Sequence, residues 1–177
     1  MHGERNIFLV GLMGAGKSTA GRLLARRLRH PFFDSDHEVE RRCGVKIPVI
    51  FEIEGEAGFR ARESAVLAEL TGLRDVVLAT GGGAVLSAEN RRVLATRGTV
   101  VYLHAPAEAL YERVRQDRNR PLLATSDPAG RLQELYRVRD PLYREIADLV
   151  VETGRQSVQG LARDLFNRVR EAWKLSA

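Results

Sequence analysis

Ile7-Phe8-Leu9-Val10-Gly11-Leu12-Met13-Gly14-Ala15-Gly16-Lys17-Ser18-Thr19-Ala20-Gly21 is an apolar run that breaks into glycines and then opens a helix. Residues 11–18 fit G-x-x-x-x-G-K-[ST]: the glycines let backbone N–H groups converge on a polyphosphate, the Lys brings positive charge, and the Ser can ligate magnesium. The helix that follows aims the positive end of its dipole at the same anion. A basic start and about ten weakly polar residues also have the outline of a secretory signal, whose apolar region runs about 7 to 15 residues. Lys17 directly after the glycines decides against it, as does the amphipathic continuation through Arg22, Leu23, Leu24, Arg26, Arg27 and Leu28.

With 177 residues the chain is read as one domain able to bury a substantial core without disulfides. The single Cys43 supports neither an internal bridge nor a zinc cluster. No apolar run approaches the roughly 20 residues that span a bilayer, so a soluble, cytoplasmic protein without a membrane partner is expected. The net charge of +5 raises the possibility of nucleic acid. Yet Lys17, Lys46 and Lys174 are the only lysines, and the arginines are scattered among acids without a recognisable nucleic-acid module. The charge is read as solvated surface plus a site for small anions, with no nucleic-acid partner and a monomeric state.

The first helix is predicted from Lys17 to about Arg29, ended by His30 and Pro31, after which Phe32 and Phe33 begin a short strand delivering Asp34 and Asp36. Ser35 or Asp36 is placed to cap a helix over about 36–43, which Gly44 stops. Pro48 suits the first turn of a short helix through Phe51, broken by Gly55, and 56–70 form an amphipathic helix carrying Arg60, Arg62 and Glu63. Val76, Val77, Leu78 and Ala79 read as a strand buried in a parallel sheet, followed by Thr80 and three glycines, Gly81, Gly82 and Gly83. A helix over about 87–96, a strand over 100–103 and a helix over about 106–115 come next.

Residues 116–127 have no periodicity and read as a mobile surface segment. A helix starts at Asp127 and Pro128, with Pro141 expected to interrupt it near Arg139. The last strand is 149–151, and a closing helix over about 157–173 turns Leu161, Leu165, Phe166, Val169 and Trp173 inward. Strands alternating with helices call for a three-layer α/β/α P-loop fold on a parallel sheet. Ligands in such sheets sit beyond the carboxyl ends of the strands, which gathers residues 11–18, Asp34, Asp36 and residues 81–83 into one cleft.

Phosphoryl transfer needs a phosphate cradle, a metal site, an acceptor site and a mobile cation. Magnesium would be held by Ser18 and by phosphate oxygens, with a carboxylate in its water shell. Because the strand over 76–79 ends in Thr80 and glycines rather than an acid, Asp34 is the expected carboxylate.

Residues 11–19, Phe33-Asp34-Ser35-Asp36, Gly55-Glu56 with Phe59, Arg60 and Glu63, Thr80 with the three glycines, Arg120-Pro121-Leu122, and Arg139 before Pro141-Leu142-Tyr143 together resemble shikimate kinase. These blocks run in order from residue 7 to about 152. The resemblance implies a nucleoside-monophosphate-kinase-like fold, a five-stranded sheet of order 2-3-1-4-5, and ATP- and Mg2+-dependent phosphorylation of the 3-hydroxyl of shikimate. It implies Asp34 near magnesium through water, Asp36 on the shikimate hydroxyls, Arg60 and Arg139 on its carboxylate, and Gly81, Gly82 and Gly83 along it. It also implies Gly14, Ala15, Gly16, Lys17, Ser18 and Thr19 on the nucleotide, Arg120 as the lid arginine that reaches the phosphates, and Arg113 stacked on adenine. Arg113 has rivals in Arg115 and Arg118, and an adenine-contacting loop is expected near 154–158.

The chemistry of these residue types agrees. An Asp can orient and deprotonate a hydroxyl, two arginines fix a planar carboxylate, and glycine backbone admits a polyol closely. Arg120 on a mobile segment can close over the phosphates and exclude water. Lys17, Asp36 and Arg120 are thus the expected catalytic residues. Other uses exist for each: an Asp after a strand often only caps a helix, and Arg60 with Glu63 could be an ordinary surface pair, although Glu63 is favoured as the orienting partner of Arg60. Arg62, Arg115 and Arg118 are assigned to solvent, His2, His30, His37 and His104 to structural or exposed positions, and Cys43 to the core. Another small-molecule kinase, for gluconate or a nucleoside monophosphate, would use similar arginines. A nucleotide switch or nucleic-acid ATPase would fit the loop and the basic charge, but no Asn-Lys-x-Asp guanine-reading motif occurs.

Overall fold

The computed structural model describes residues 5–175; His2 lies outside them. Five short strands, β1 (Ile7–Val10), β2 (Phe32–Asp34), β3 (Val77–Ala79), β4 (Thr99–His104) and β5 (Leu149–Glu152), form one parallel sheet of order β2-β3-β1-β4-β5. β1 is central, with Phe8 opposite Leu78 on one side and Val100 on the other. All four of its side chains are fully buried, which is why it reads as a continuous apolar run rather than an alternation.

Among the described residues, seven α-helices flank the sheet: α1 (Lys17–Leu28), α2 (Ser35–Cys43), α3 (Ile47–Leu70), α4 (Ala88–Arg97), α5 (Ala107–Val114), α6 (Pro128–Ile146) and α7 (Val158–Leu175). α1 packs against α7, while α6 packs against α4 and α5. Of the three P-loop glycines, all at positive φ, Gly14 (φ 81°) and Gly16 (φ 91°) stand nearest the helix and take left-handed backbone. That conformation costs an L-residue about 1–2 kcal/mol, so glycine is the residue the turn requires.

Four local expectations are corrected. The cap of α2 is neither Ser35 nor Asp36 but Asp34, whose Oδ1 accepts from the His37 N–H at 3.1 Å. The break at Gly55 is a kink (φ 70°, ψ −177°) within α3, and the first segment continues past Phe51 to reach it. α6 runs through Pro141 without interruption near Arg139. The ring removes one backbone bond at a penalty of roughly 3 kcal/mol, but buried Leu132, Leu135, Arg139, Tyr143 and Ile146 anchor the helix on both sides of it. Within 116–127, Pro121–Leu123 form a 3-10 turn that buries Leu123.

Cys43 is half-buried at the margin of the core rather than within it. Among the other described histidines, His30 stacks on Trp173, His37 is exposed and His104 joins a hydrogen-bonded group at the end of β4. Among the described residues no helix is long and apolar enough to cross a membrane.

Candidate active site

Beyond the carboxyl ends of β1, β2 and β3 lies a cleft of about 310 Å³. Met13, Gly14, Gly16, Lys17, Ser18 and Thr19 form one wall; Asp34, Asp36, Arg60, Glu63, Gly82, Gly83 and Arg139 form the other. Asn119, Arg120, Pro121 and Leu122 also line it, and Ile47, Phe51 and Phe59 supply apolar lining. Ala15, Gly81 and Arg113 stand behind these walls: Ala15 is buried, Gly81 backs onto Asp36 and Glu63, and Arg113 sits under the loop with Nη1 donating to Gly14 O at 2.9 Å. Arg113 Nη1 also donates to Thr153 Oγ1 at 3.4 Å and Nη2 lies against Gly154, so the arginine does reach the segment expected to face adenine.

Lys17 is buried, and its Nζ donates to the carbonyls of Gly11 at 2.6 Å and Leu12 at 3.0 Å. Burial lowers its pKa to about 8, against the opposing pull of Asp36. It therefore still carries its charge at pH 7. Ser18 Oγ donates to Asp34 Oδ2, while the other oxygen of Asp34 caps α2. One carboxylate thus serves as cap and as partner of the P-loop hydroxyl, and Asp36 is left for the cleft. The Thr80 hydroxyl is committed to Leu9 O at 3.0 Å. A hydroxyl beside a carboxylate is a hard-oxygen pair of the kind magnesium takes together with phosphate and water oxygens, and among the described residues no cluster of three His, Cys, Asp or Glu offers a rival cage.

On the opposite wall, Glu63 is only 1 % exposed and its Oε1 accepts from Arg60 Nη1 at 2.9 Å, so this is not a surface pair. Arg60 also reaches Glu56 at 3.3 Å and lies over the Phe59 ring. Arg139, 2 % exposed, sits beside Gly82 and Tyr143, whose hydroxyl donates to Gly82 O. Gly81 N–H donates to Ser35 Oγ at 2.9 Å. Ser35 and Tyr143 are the residues that hold the glycine turn in place. Neither role had a local signal: Ser35 looked like a cap, and Tyr143 is brought to Gly82 only by the packing of α6.

Four buried side-chain atoms on this wall have no hydrogen-bond partner within the protein: Asp36 Oδ1, Glu63 Oε2, Arg60 Nε and Arg139 Nε. Buried polar groups are paired in the great majority of cases, and leaving one unpaired costs about 1–3 kcal/mol. Concentrated in a cleft, they describe the complement of a polar ligand. Burial first, then Glu63 and Asp34, raise the Asp36 pKa to about 7 in spite of Lys17 and Arg120, and burial also raises Glu63. Arg120 is paired with Asp117 at 2.9 Å, yet its charge is felt at both Lys17 and Asp36. Arg62 pairs with Glu54 on the surface, and Arg115 and Arg118 are exposed.

Comparison with known proteins gives the family and the fold. The family model described as shikimate kinase matches residues 13–170. The shikimate kinase of Cupriavidus pinatubonensis is 65% identical over 170 residues, which span 96% of this chain and 88% of that protein. The solved structure of shikimate kinase from Acinetobacter baumannii in complex with shikimate superposes with a TM-score of 0.93 at 50% identity, covering 97% of this chain and 96% of the other. A gluconokinase from Sinorhizobium meliloti superposes with a TM-score of 0.65 at 17% identity, which shows a shared fold.

Proposed function

The chain belongs to the shikimate kinase family, and from that premise we propose that it transfers the γ-phosphoryl group of ATP to the 3-hydroxyl of shikimate, giving shikimate 3-phosphate and ADP. The observation that carries the acceptor half is the set of four unpartnered atoms around residues 81–83: two guanidinium nitrogens for a carboxylate and two carboxyl oxygens for hydroxyls. Arg60 and Arg139 hold the shikimate carboxylate. Gly81, Gly82 and Gly83 keep the backbone close to the ring. Asp36 orients the 3-hydroxyl and takes its proton as the oxygen bonds to phosphorus and ADP departs.

Gly14, Ala15, Gly16, Lys17, Ser18 and Thr19 cradle the nucleotide phosphates, and Arg113 faces the adenine side. Arg120, carried by a lid over about 116–127, closes on the phosphates and excludes water. The acceptor region is about 34–63, within a single domain. Ser18, and Asp34 through water, would hold Mg2+, which when bound neutralises phosphate charge. A monomeric, cytoplasmic protein without a nucleic-acid partner completes the reading; against a nucleic-acid surface stand arginines such as Arg41, Arg42, Arg62, Arg92 and Arg137, each paired with a neighbouring acid.

A coupled assay with ATP, magnesium and shikimate tests this directly. Turnover with shikimate, and not with gluconate or nucleoside monophosphates, is the expected result; no turnover by folded protein would overturn it. Arg60→Ala and Arg139→Ala should each raise KM for shikimate about 10- to 100-fold, the worth of a hydrogen bond to a charged group, with KM for ATP little changed. An unchanged shikimate KM would remove that arginine from the carboxylate site.

A further inference from the structure

His104 ends β4 and stands directly opposite Glu152 on β5. Its Nδ1 is 2.8 Å from both carboxylate oxygens of Glu152, and its Nε2 is 2.7 Å from the Tyr136 hydroxyl on α6. One imidazole therefore joins two strands to a helix. The carboxylate at Nδ1 fixes the proton there, leaving Nε2 to accept from the Tyr136 hydroxyl; in the protonated ring Nε2–H donates to the same oxygen, so the link holds in both states.

The helix face that this link secures is the one that carries Arg139. Tyr136 and Tyr143 lie three residues before and four after it, the spacings that share one side of a helix. Asp140 accepts from the Tyr102 hydroxyl of β4 at 2.8 Å, and the Tyr143 hydroxyl donates to Gly82 O. Pro141 removes a backbone bond in the middle of this stretch. Side-chain contacts at 136, 140 and 143 add to the buried anchors of α6 in holding the weakened turn against the sheet, and the sheet end of the first is His104.

We propose that His104 is a positioning residue for Arg139: by clamping Tyr136 between β4, β5 and α6, it sets where the Arg139 guanidinium stands in the acceptor wall. The inference rests on the assignment of Arg139 to the shikimate carboxylate. It accounts for a well-partnered histidine that touches no part of the cleft, and it gives β4 and β5, which otherwise lie on the nucleotide side through Thr153 and Gly154, a mechanical connection to the acceptor side.

The test is steady-state kinetics of the whole protein with shikimate and ATP varied in turn, together with the thermal midpoint. Wild-type turnover and a raised shikimate KM in Arg139→Ala establish the assignment first; failure there rejects it whatever happens at His104. Tyr136→Phe and His104→Leu should then each raise KM for shikimate about three- to tenfold, the worth of one hydrogen bond, with kcat and KM for ATP within about twofold of wild type. The double variant should be no worse than either single one, and His104→Gln, whose side-chain N–H can still reach the Tyr136 hydroxyl, should recover most of the affinity. A normal shikimate KM in Tyr136→Phe, an equal rise in KM for ATP, or a lowered thermal midpoint with unaltered kinetics would overturn the proposal.

Discussion

Asp36→Asn is expected to lower kcat by about two to four orders of magnitude, the range lost with a general base, while making the unliganded protein more heat-stable at pH 8. The two effects have one cause. Asp36 is placed among burial, Glu63 and Asp34, all of which oppose its charge and lift its pKa from 3.8 to about 7. A group poised near the working pH is a good proton acceptor, and the same poise is a burden on the folded state once the proton leaves. Because the folded pKa lies above the ordinary value, the folded protein keeps a proton between pH 4 and 7 that the unfolded chain releases. The associated stability is complete below about pH 4 and lost as pH rises through about 7. Asn carries no charge to bury, so the gain in thermal midpoint should be at least about 2 °C at pH 8 and shrink toward pH 4. The wild-type kcat/KM for shikimate should fall about tenfold per pH unit below about 7, since only ionised Asp36 accepts the proton. Retention of kcat within tenfold would remove Asp36 from proton transfer, and a matching loss of ATP binding would move it to the metal side.

The division of labour between Asp34 and Asp36 shows how far the sequence could be read. Asp34 ends β2 and Asp36 comes two residues later, and their type and place suffice to predict one cap and one free carboxylate. Which is which depends on the helix starting at Ser35, and helix starts are among the least legible boundaries. The P-loop was legible throughout because its glycines answer to a backbone requirement that shows in composition. β1, β3 and β4 were legible because buried parallel strands are apolar throughout, whereas β2 and β5, at the edges of the sheet, are only partly buried. The order of the sheet was not in any local pattern; it came from the likeness to shikimate kinase. The contacts of Ser35 with Gly81 and of Tyr143 with Gly82 join residues 46 and 61 positions apart, and no spacing rule reaches so far. Pro141 misled for the opposite reason: its local preference was read correctly and tertiary packing outweighed it.

Gly81→Ala is expected to reduce kcat/KM for shikimate by about two orders of magnitude, the penalty of misplacing reacting groups by about 1 Å. The backbone at residue 81 is not in the left-handed region, so alanine meets no conformational obstacle there. The obstacle is space: a Cβ would stand 2.5 Å from Asp36 Oδ1 and 2.6 Å from Glu63 Oε2. Both carboxyl groups are enclosed, and Gly81 is itself tied to Ser35, so neither side can give way without moving the base or the group that orients Arg60. The neighbouring glycines supply an internal scale. At Gly83 a Cβ would overlap the Arg60 guanidinium, the end of a long side chain that can swing aside at the expense of shikimate affinity, so Gly83→Ala should act mainly on KM. At Gly82 the nearest neighbours, Arg139 Nη1 and Gly11 O, would be 3.5 Å away, an ordinary contact. The predicted order of loss in kcat/KM is therefore Gly81→Ala, then Gly83→Ala, then Gly82→Ala, with kcat falling steeply only in the first. A mild Gly81→Ala variant, or one whose loss lies in ATP affinity, would mean that Asp36 and Glu63 can give way to a side chain at residue 81 without loss of the acceptor site.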